Sequence, residues 1–140
     1  LKTTGLIQTL CFGEIKTHRK SILKETKAPY RPDSWAISEE LAGGISQIQK
    51  TIQKSLKNIN SALSINDDNG FKLRHPIYLY KPKSFLIIGS LKEFKNIDGD
   101  IHEEKFSSFE LFRRSISDIE IITFDELYER AFAIVRKKWK

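Results

Sequence analysis

The sequence predicts an α/β domain, a mixed central sheet flanked by helices. Three observations carry this expectation. Short, mostly apolar runs at residues 5–15, 77–80, 85–90 and 119–123 lie between turn-forming or polar residues and read as strands. Between the first two, Leu41, Ile45, Ile48, Ile52, Leu56, Ile59 and Leu63 recur every three or four positions, the period of an amphipathic helix. Strand-like and helix-like segments then alternate as strand, long helix, strand, helix, strand, helix, an order that stacks helices on a sheet.

The first strand, GLIQTLCFGEI, is apolar through Leu6, Leu10, Cys11 and Phe12 and leads into Glu14 and Lys16. The charged segment that follows contains Pro29 and Pro32, which forbid one continuous helix. Ser38, Glu39 and Glu40 start the long helix: a hydroxyl serves the orphan amides, and two carboxylates meet the positive end of the dipole. Gly43 and Gly44 fall inside it, each at about 1 kcal/mol relative to alanine, which points to close backbone packing or a kink. The helix is expected to end between residues 58 and 64, before the loop Asn66, Asp67, Asp68, Asn69, Gly70. Two further short strands follow, of which FLIIGS is the more strand-like, and then a polar loop at 95–100. Residues 103–115 place Phe106, Phe109, Leu111 and Phe112 at helical spacing, and IEIIT is a strand. Asp125 is expected to cap the last helix, whose apolar residues are Leu127, Tyr128, Ala131, Phe132 and Val135 and whose end carries Arg136, Lys137, Lys138 and Lys140.

Composition narrows the function. A chain of 140 residues is one domain of ordinary size and buries a core without disulfides or structural metal. The single cysteine, Cys11, excludes an internal disulfide and multi-cysteine zinc sites, and suits a reducing cytoplasm. Apolar runs fall well short of the roughly 20 residues of a membrane span. The net charge of +6 favours an anionic partner. His18, His75 and His102 lack metal-ligand spacing, and the glycine-rich phosphate loops are absent, so a nucleotide cofactor is not expected. Methionine is absent even from position 1, so residues 1–140 are expected to be one domain of a longer chain lacking its N-terminal part.

The richest chemistry is GEIKTH, residues 13–18. Two positions apart on a strand, Glu14 and Lys16 project from one face. A carboxylate beside an ammonium at the end of an apolar strand is costly to bury without purpose. Glutamate can bind a hard divalent cation through oxygen, and lysine can orient a water or stabilise charge on a phosphate. An ion pair at a strand end is the plainer reading, since E-x-K triplets are common.

The stretches GLIQTLCFGEIKTH and APYRPDSWAISEELAGGISQIQKTIQKSL, then YKPKSFLIIGS and IEIITFDELYERA, resemble the Shedu anti-phage nuclease family of the PD-(D/E)XK superfamily. The likeness joins the E-x-K strand to a proline-broken Y-R-P segment and a glutamine-bearing helix in the family's order, and covers most of the chain. It implies a restriction-endonuclease-like fold, cleavage of DNA phosphodiester bonds with Mg²⁺ or Mn²⁺, assembly into homo-oligomers and a role in bacterial defence. By this resemblance Glu14 is the metal-binding carboxylate, Lys16 the catalytic lysine and Gln47 the helix glutamine aimed at the site. Helical phase leaves Gln49 open as an alternative to Gln47. The superfamily's first metal-binding aspartate precedes this strand, yet no Asp or Glu occurs before Glu14; it is expected upstream of Leu1.

Basic residues crowd the loop after the E-x-K strand, with His18, Arg19, Lys20 and Arg31 as candidates for holding DNA phosphates. A solvated loop is the alternative, as is a solvated face for Lys50, Lys54 and Lys57 on the long helix. The competing class of function is a catalytically inactive DNA-binding or protein-interaction domain that keeps the nuclease fold.

Overall fold

The computed structural model describes residues 8–59, 62–63, 66, 69–71 and 77–137. Its elements are β1 (Gln8–Ile15), α1 (Glu39–Ile59), β2 (Ala62–Leu63), β3 (Ile77–Ile87), a 3₁₀ turn (Leu91–Phe94), α2 (Glu103–Ser115), β4 (Ile119–Ile122) and α3 (Phe124–Lys137). The expected α/β architecture is present. The start of the first strand and the last three residues of the chain lie outside the described residues.

The long strand β3 organises the sheet. β1 pairs with one edge in parallel; β4, also parallel, and the short antiparallel β2 pair with the other. Register places Glu14, Leu86 and Ile121 in one row across β1, β3 and β4. Paired residues of a parallel sheet share a face, and this face meets α1, because a Cβ built on Gly44 would come within 3.0 Å of a Leu86 methyl. Gly44 therefore exists for close approach of helix to sheet. Beneath it lies a core of Leu41, Ile45, Ile48, Leu86, Ile88, Ile119 and Ile121. Each such side chain contributes about 1.5–3 kcal/mol on full burial.

The structure departs from the sequence reading at four places. Residues 77–87 form one strand, not two short ones: two steps of β1, from Thr9 to Cys11, face five of β3, from Tyr78 to Lys83. The surplus bulges at Lys81, whose φ is +39°, and at Pro82, which has no N–H to give a ladder. Leu63, counted on the helix, lies in β2. The cap of α3 is Thr123 rather than Asp125. Thr123 donates its backbone N–H to Glu126 Oε2 at 2.9 Å and accepts from the Glu126 N–H at 3.3 Å, a capping box. Finally, the apolar residues of α3 are exposed in this chain: Tyr128, Ile134 and Val135 are each more than half exposed. Among the described residues, the contacts that tie α3 down come from its first two turns, through Phe124, Asp125 and Glu126 and through Arg130, which pairs with Glu120 of β4. No helix among the described residues is long and apolar enough to cross a membrane.

Candidate active site

The backbone N–H of Lys16 donates to the Ile87 carbonyl at 2.9 Å, extending the β1–β3 pairing one residue past β1. This continued extension holds Lys16 on the same face as Glu14. There Lys16 Nζ lies 3.2 Å from Glu14 Oε1 and donates to Gln47 Oε1 at 3.4 Å. The two charged side chains are 23% and 22% exposed, shielded yet reachable. A partly desolvated ion pair of this kind adds little net stability, because desolvation offsets the attraction.

Of the two glutamines, α1 brings Gln47 to Lys16. Gln49 lines a different cleft with Ile52, Lys81, Pro82 and Asp118.

A second contact joins the same two segments one step further on. Lys20 Nζ reaches Glu40 Oε1 at 2.5 Å. Glu40 precedes Gln47 by seven residues, two helical turns, so both project toward the segment leaving β1. The Lys20 hydrogen bond and charge hold the Glu40 carboxyl below its usual range, and Lys16 adds to the effect.

The loop after β1 is anchored at Ile22 and Leu23, while residues 17–20 and 24–34 are exposed. Ile22 is fully buried and Leu23 is 3% exposed. Both oxygens of Glu93, in the 3₁₀ turn, accept from the Ile22 and Leu23 amides at 2.7 and 2.8 Å. Ser38 donates its hydroxyl to the Ser21 carbonyl at 2.6 Å while capping α1 through the Leu41 N–H at 3.1 Å. Gly89, with φ +64°, lets the loop cross the end of β3, since a Cβ there would meet Ile22 at 2.6 Å.

The remaining basic candidates separate. His18 stands edge-on to Phe124, with ring centroids 6.0 Å apart. With Arg19, Lys20, Lys92 and Tyr128 it lines a groove of about 510 Å³ where β1, β3 and β4 end. Two carboxylates in that groove are occupied by backbone: Glu93 as above, and Asp125, which accepts from the Leu91 N–H at 2.7 Å. Burial works against the Asp125 charge, but the Leu91 amide and the Ser90 hydroxyl outweigh it and keep that carboxyl below its usual range. Arg31 joins neither group. It sits on a hairpin bridged by Arg31 and Ser34, beside the Tyr30 ring. Trp35 pins that hairpin to α2, through its backbone N–H, which donates to the Ser108 hydroxyl at 3.0 Å, and the Lys105 ammonium over its ring.

Sequence reasoning missed Glu40 and Glu93. Helical phase relative to Gln47 could have found Glu40. Glu93 carried no local signal, because its partners lie about seventy positions away. As a metal donor set, Glu14 carboxylate and Gln47 amide oxygens suit a hard cation. Among the described residues, no group of three or more His, Cys, Asp or Glu side chains is placed so that it could hold a metal ion. One carboxylate with substrate oxygens and waters still matches the way Mg²⁺ is commonly held.

Fold and site together define a class of protein: an α/β domain that sets a glutamate–lysine pair at a strand end against a helix glutamine. Comparison with known proteins narrows the class. The family model described as Shedu protein SduA, C-terminal, matches residues 1–128, and the chain belongs to that family. It is 27% identical over 128 residues to Shedu protein SduA of Bacillus cereus (strain B4264), an alignment covering 88% of this chain and 30% of that relative. The chain thus spans under a third of the curated relative's length.

Proposed function

We propose that this domain is a metal-dependent DNA endonuclease with a restriction-endonuclease-like arrangement, acting in the bacterial cytoplasm in defence against phage. The observation that carries the reading is the convergence of Glu14, Lys16 and Gln47, with Lys16 Nζ 3.2 Å from the carboxylate and 3.4 Å from the amide oxygen. Family membership supports it. In this reading Glu14 holds Mg²⁺ or Mn²⁺, with Gln47 Oε1 within reach and a further carboxylate contributed from outside residues 1–140. When bound, the ion supplies Lewis-acid polarisation of a phosphoryl oxygen. Lys16 orients the attacking water and stabilises the charge that develops on the phosphate. By accepting from Nζ, Gln47 fixes the direction of the ammonium and leaves its own amide N–H groups free to donate to a phosphate oxygen. His18, Arg19 and Lys20 hold flanking phosphates, and Arg31 does so from its separate hairpin.

The test uses the full-length protein, supercoiled plasmid DNA and Mg²⁺, beside Glu14→Ala and Lys16→Ala. Expected are nicked and linear products from the wild type and at least about a hundredfold slower cleavage in each variant, the loss typical of removing a transition-state donor. DNA retention without cleavage, unchanged by either substitution, would instead establish a catalytically inactive binding domain.

A further inference from the structure

Beyond the site itself, the exposed ridge of α1 has features the fold does not explain. Gly43 is disfavoured in a helix interior, yet a Cβ built on it meets no atom of the described residues within 4 Å. Its neighbour Gly44 makes room for Leu86, whereas Gly43 makes room for nothing in the described chain. At about 100° per residue, Gly43 lies beside Gln47 on the helix surface and in line with Lys50 and Lys54. All four are exposed, as is Lys57. From Gly43 onward this ridge carries one sign of charge. No Asp or Glu occurs between Glu40 and Asp67, so Lys50, Lys54 and Lys57 have no acidic neighbour one turn away on α1. Among the described residues, Lys54 and Lys57 make no ion pair, and Lys50 meets only the Gln53 amide oxygen, at 2.9 Å. A helix face serving only solubility interleaves both signs. The acidic end of α1 lies ahead of these cations: Glu39, exposed, stands one turn before Gly43, and Glu40 is taken by Lys20 at 2.5 Å.

We infer that the exposed ridge of α1, bare at Gly43 and cationic at Lys50, Lys54 and Lys57, is the surface along which duplex DNA lies as it leaves the Lys16–Gln47 site. The inference rests on the nuclease reading and extends it by assigning the path of the substrate. Gly43 lets the sugar–phosphate backbone descend from the ridge to Lys16 without meeting a side chain. From Gln47 to Lys57 the helix runs about 15 Å at 1.5 Å per residue, enough to follow about four base pairs at 3.4 Å each. DNA is favoured over an acidic protein because a bare backbone strip in line with spaced, unpaired ammonium groups suits a continuous polyanion.

The experiment measures binding of a short fluorescent duplex to the full-length protein in EDTA as a function of salt, with thermal melting alongside. Replacing Lys50, Lys54 and Lys57 together by glutamine should flatten the logarithmic salt dependence by about 0.9 per lysine that contacts a phosphate. Gly43→Ala should bind within about threefold of wild type and melt slightly higher, since alanine is the better helix former. Gly43→Leu should melt no lower than wild type yet lose about tenfold or more in affinity, a loss of contact by the mounted strand. Gln49→Leu, on the other side of α1, should leave affinity unchanged. An unchanged salt slope in the triple variant, or wild-type affinity in Gly43→Leu, overturns the inference. So does a fall in the melting point of Gly43→Leu, which would show the space above Gly43 filled by the protein itself. The nuclease reading is tested separately: if the wild type cleaves plasmid and Lys16→Ala does not, those results sink only the α1 path.

Discussion

Glu93 offers the sharpest test of how the candidate site is held. Its two carboxylate oxygens accept the Ile22 and Leu23 amides at 2.7 and 2.8 Å, and both donors belong to buried residues. Glu93→Ala removes both acceptors at once. A hydrogen bond to a charged group contributes about 1.5–3 kcal/mol, and an abandoned donor costs about as much. Water reaching the half-buried carboxylate position offsets part of this, so the expected loss is about 2–4 kcal/mol. Against a typical stability of about 5–15 kcal/mol, the variant stays folded but weakened. Glu93→Gln keeps one acceptor and turns an NH₂ toward the other amide, so it should fall between. Urea unfolding at pH 7 reads the loss as a lower midpoint with unchanged slope. Hydrogen exchange should show faster opening at Ile22 and Leu23 than in the α1 core. Because the clamp holds the loop bearing Arg19 and Lys20, DNA affinity should fall while the Lys16–Gln47 contact persists. A Glu93→Ala variant within about 0.5 kcal/mol of wild type, with unchanged exchange at these amides, would refute the reasoning.

Two further outcomes concern the frame around the site. Burial opposes the charge on Glu126, but the Thr123 amide and the Arg113 guanidinium overcome it and hold its carboxyl below the ordinary 4.5. Its stabilisation is therefore present above that value and is lost as pH falls through the depressed one. Glu126→Gln should be less stable than wild type at pH 7, and urea titrations should show the gap closing progressively below about pH 4.5; a gap independent of pH would contradict the assignment. Gly44→Leu should cost more than about 1–3 kcal/mol through overpacking, since its Cβ alone would sit 3.0 Å from Leu86. Adding Leu86→Ala should recover part of that loss by calorimetry, and strict additivity of the two would show that they do not share the space.

Much of the architecture is written locally. Leu41, Ile45 and Ile48 mark the buried stripe of α1 by period alone, with Ile52 partly buried in line with them, and Ser38 with its two acidic successors marks its start, because caps and amphipathic faces involve residues a few positions apart. Glu14 and Lys16 share a face through the two-residue repeat of a strand. Local pattern reached its limit where partners are distant. Phase could not choose between Gln47 and Gln49, because Gln49 flanks the apolar stripe while Gln47, well away from it, lies on a second face that a helix between sheet and cleft can also present; the position of β1 against α1 brings Gln47 to Lys16.

From residue order alone come the α/β class, the long helix, the glutamate–lysine pair and the family. Tertiary structure decided the rest: one bulged β3 in place of two strands, a loop secured by Glu93, and Lys20 held by Glu40 apart from Arg31. The reason is the range of the forces. Period and capping act over a turn or a pleat, whereas register, amide clamps and ion pairs between elements depend on which segments the collapsed core brings within about 3 Å of one another.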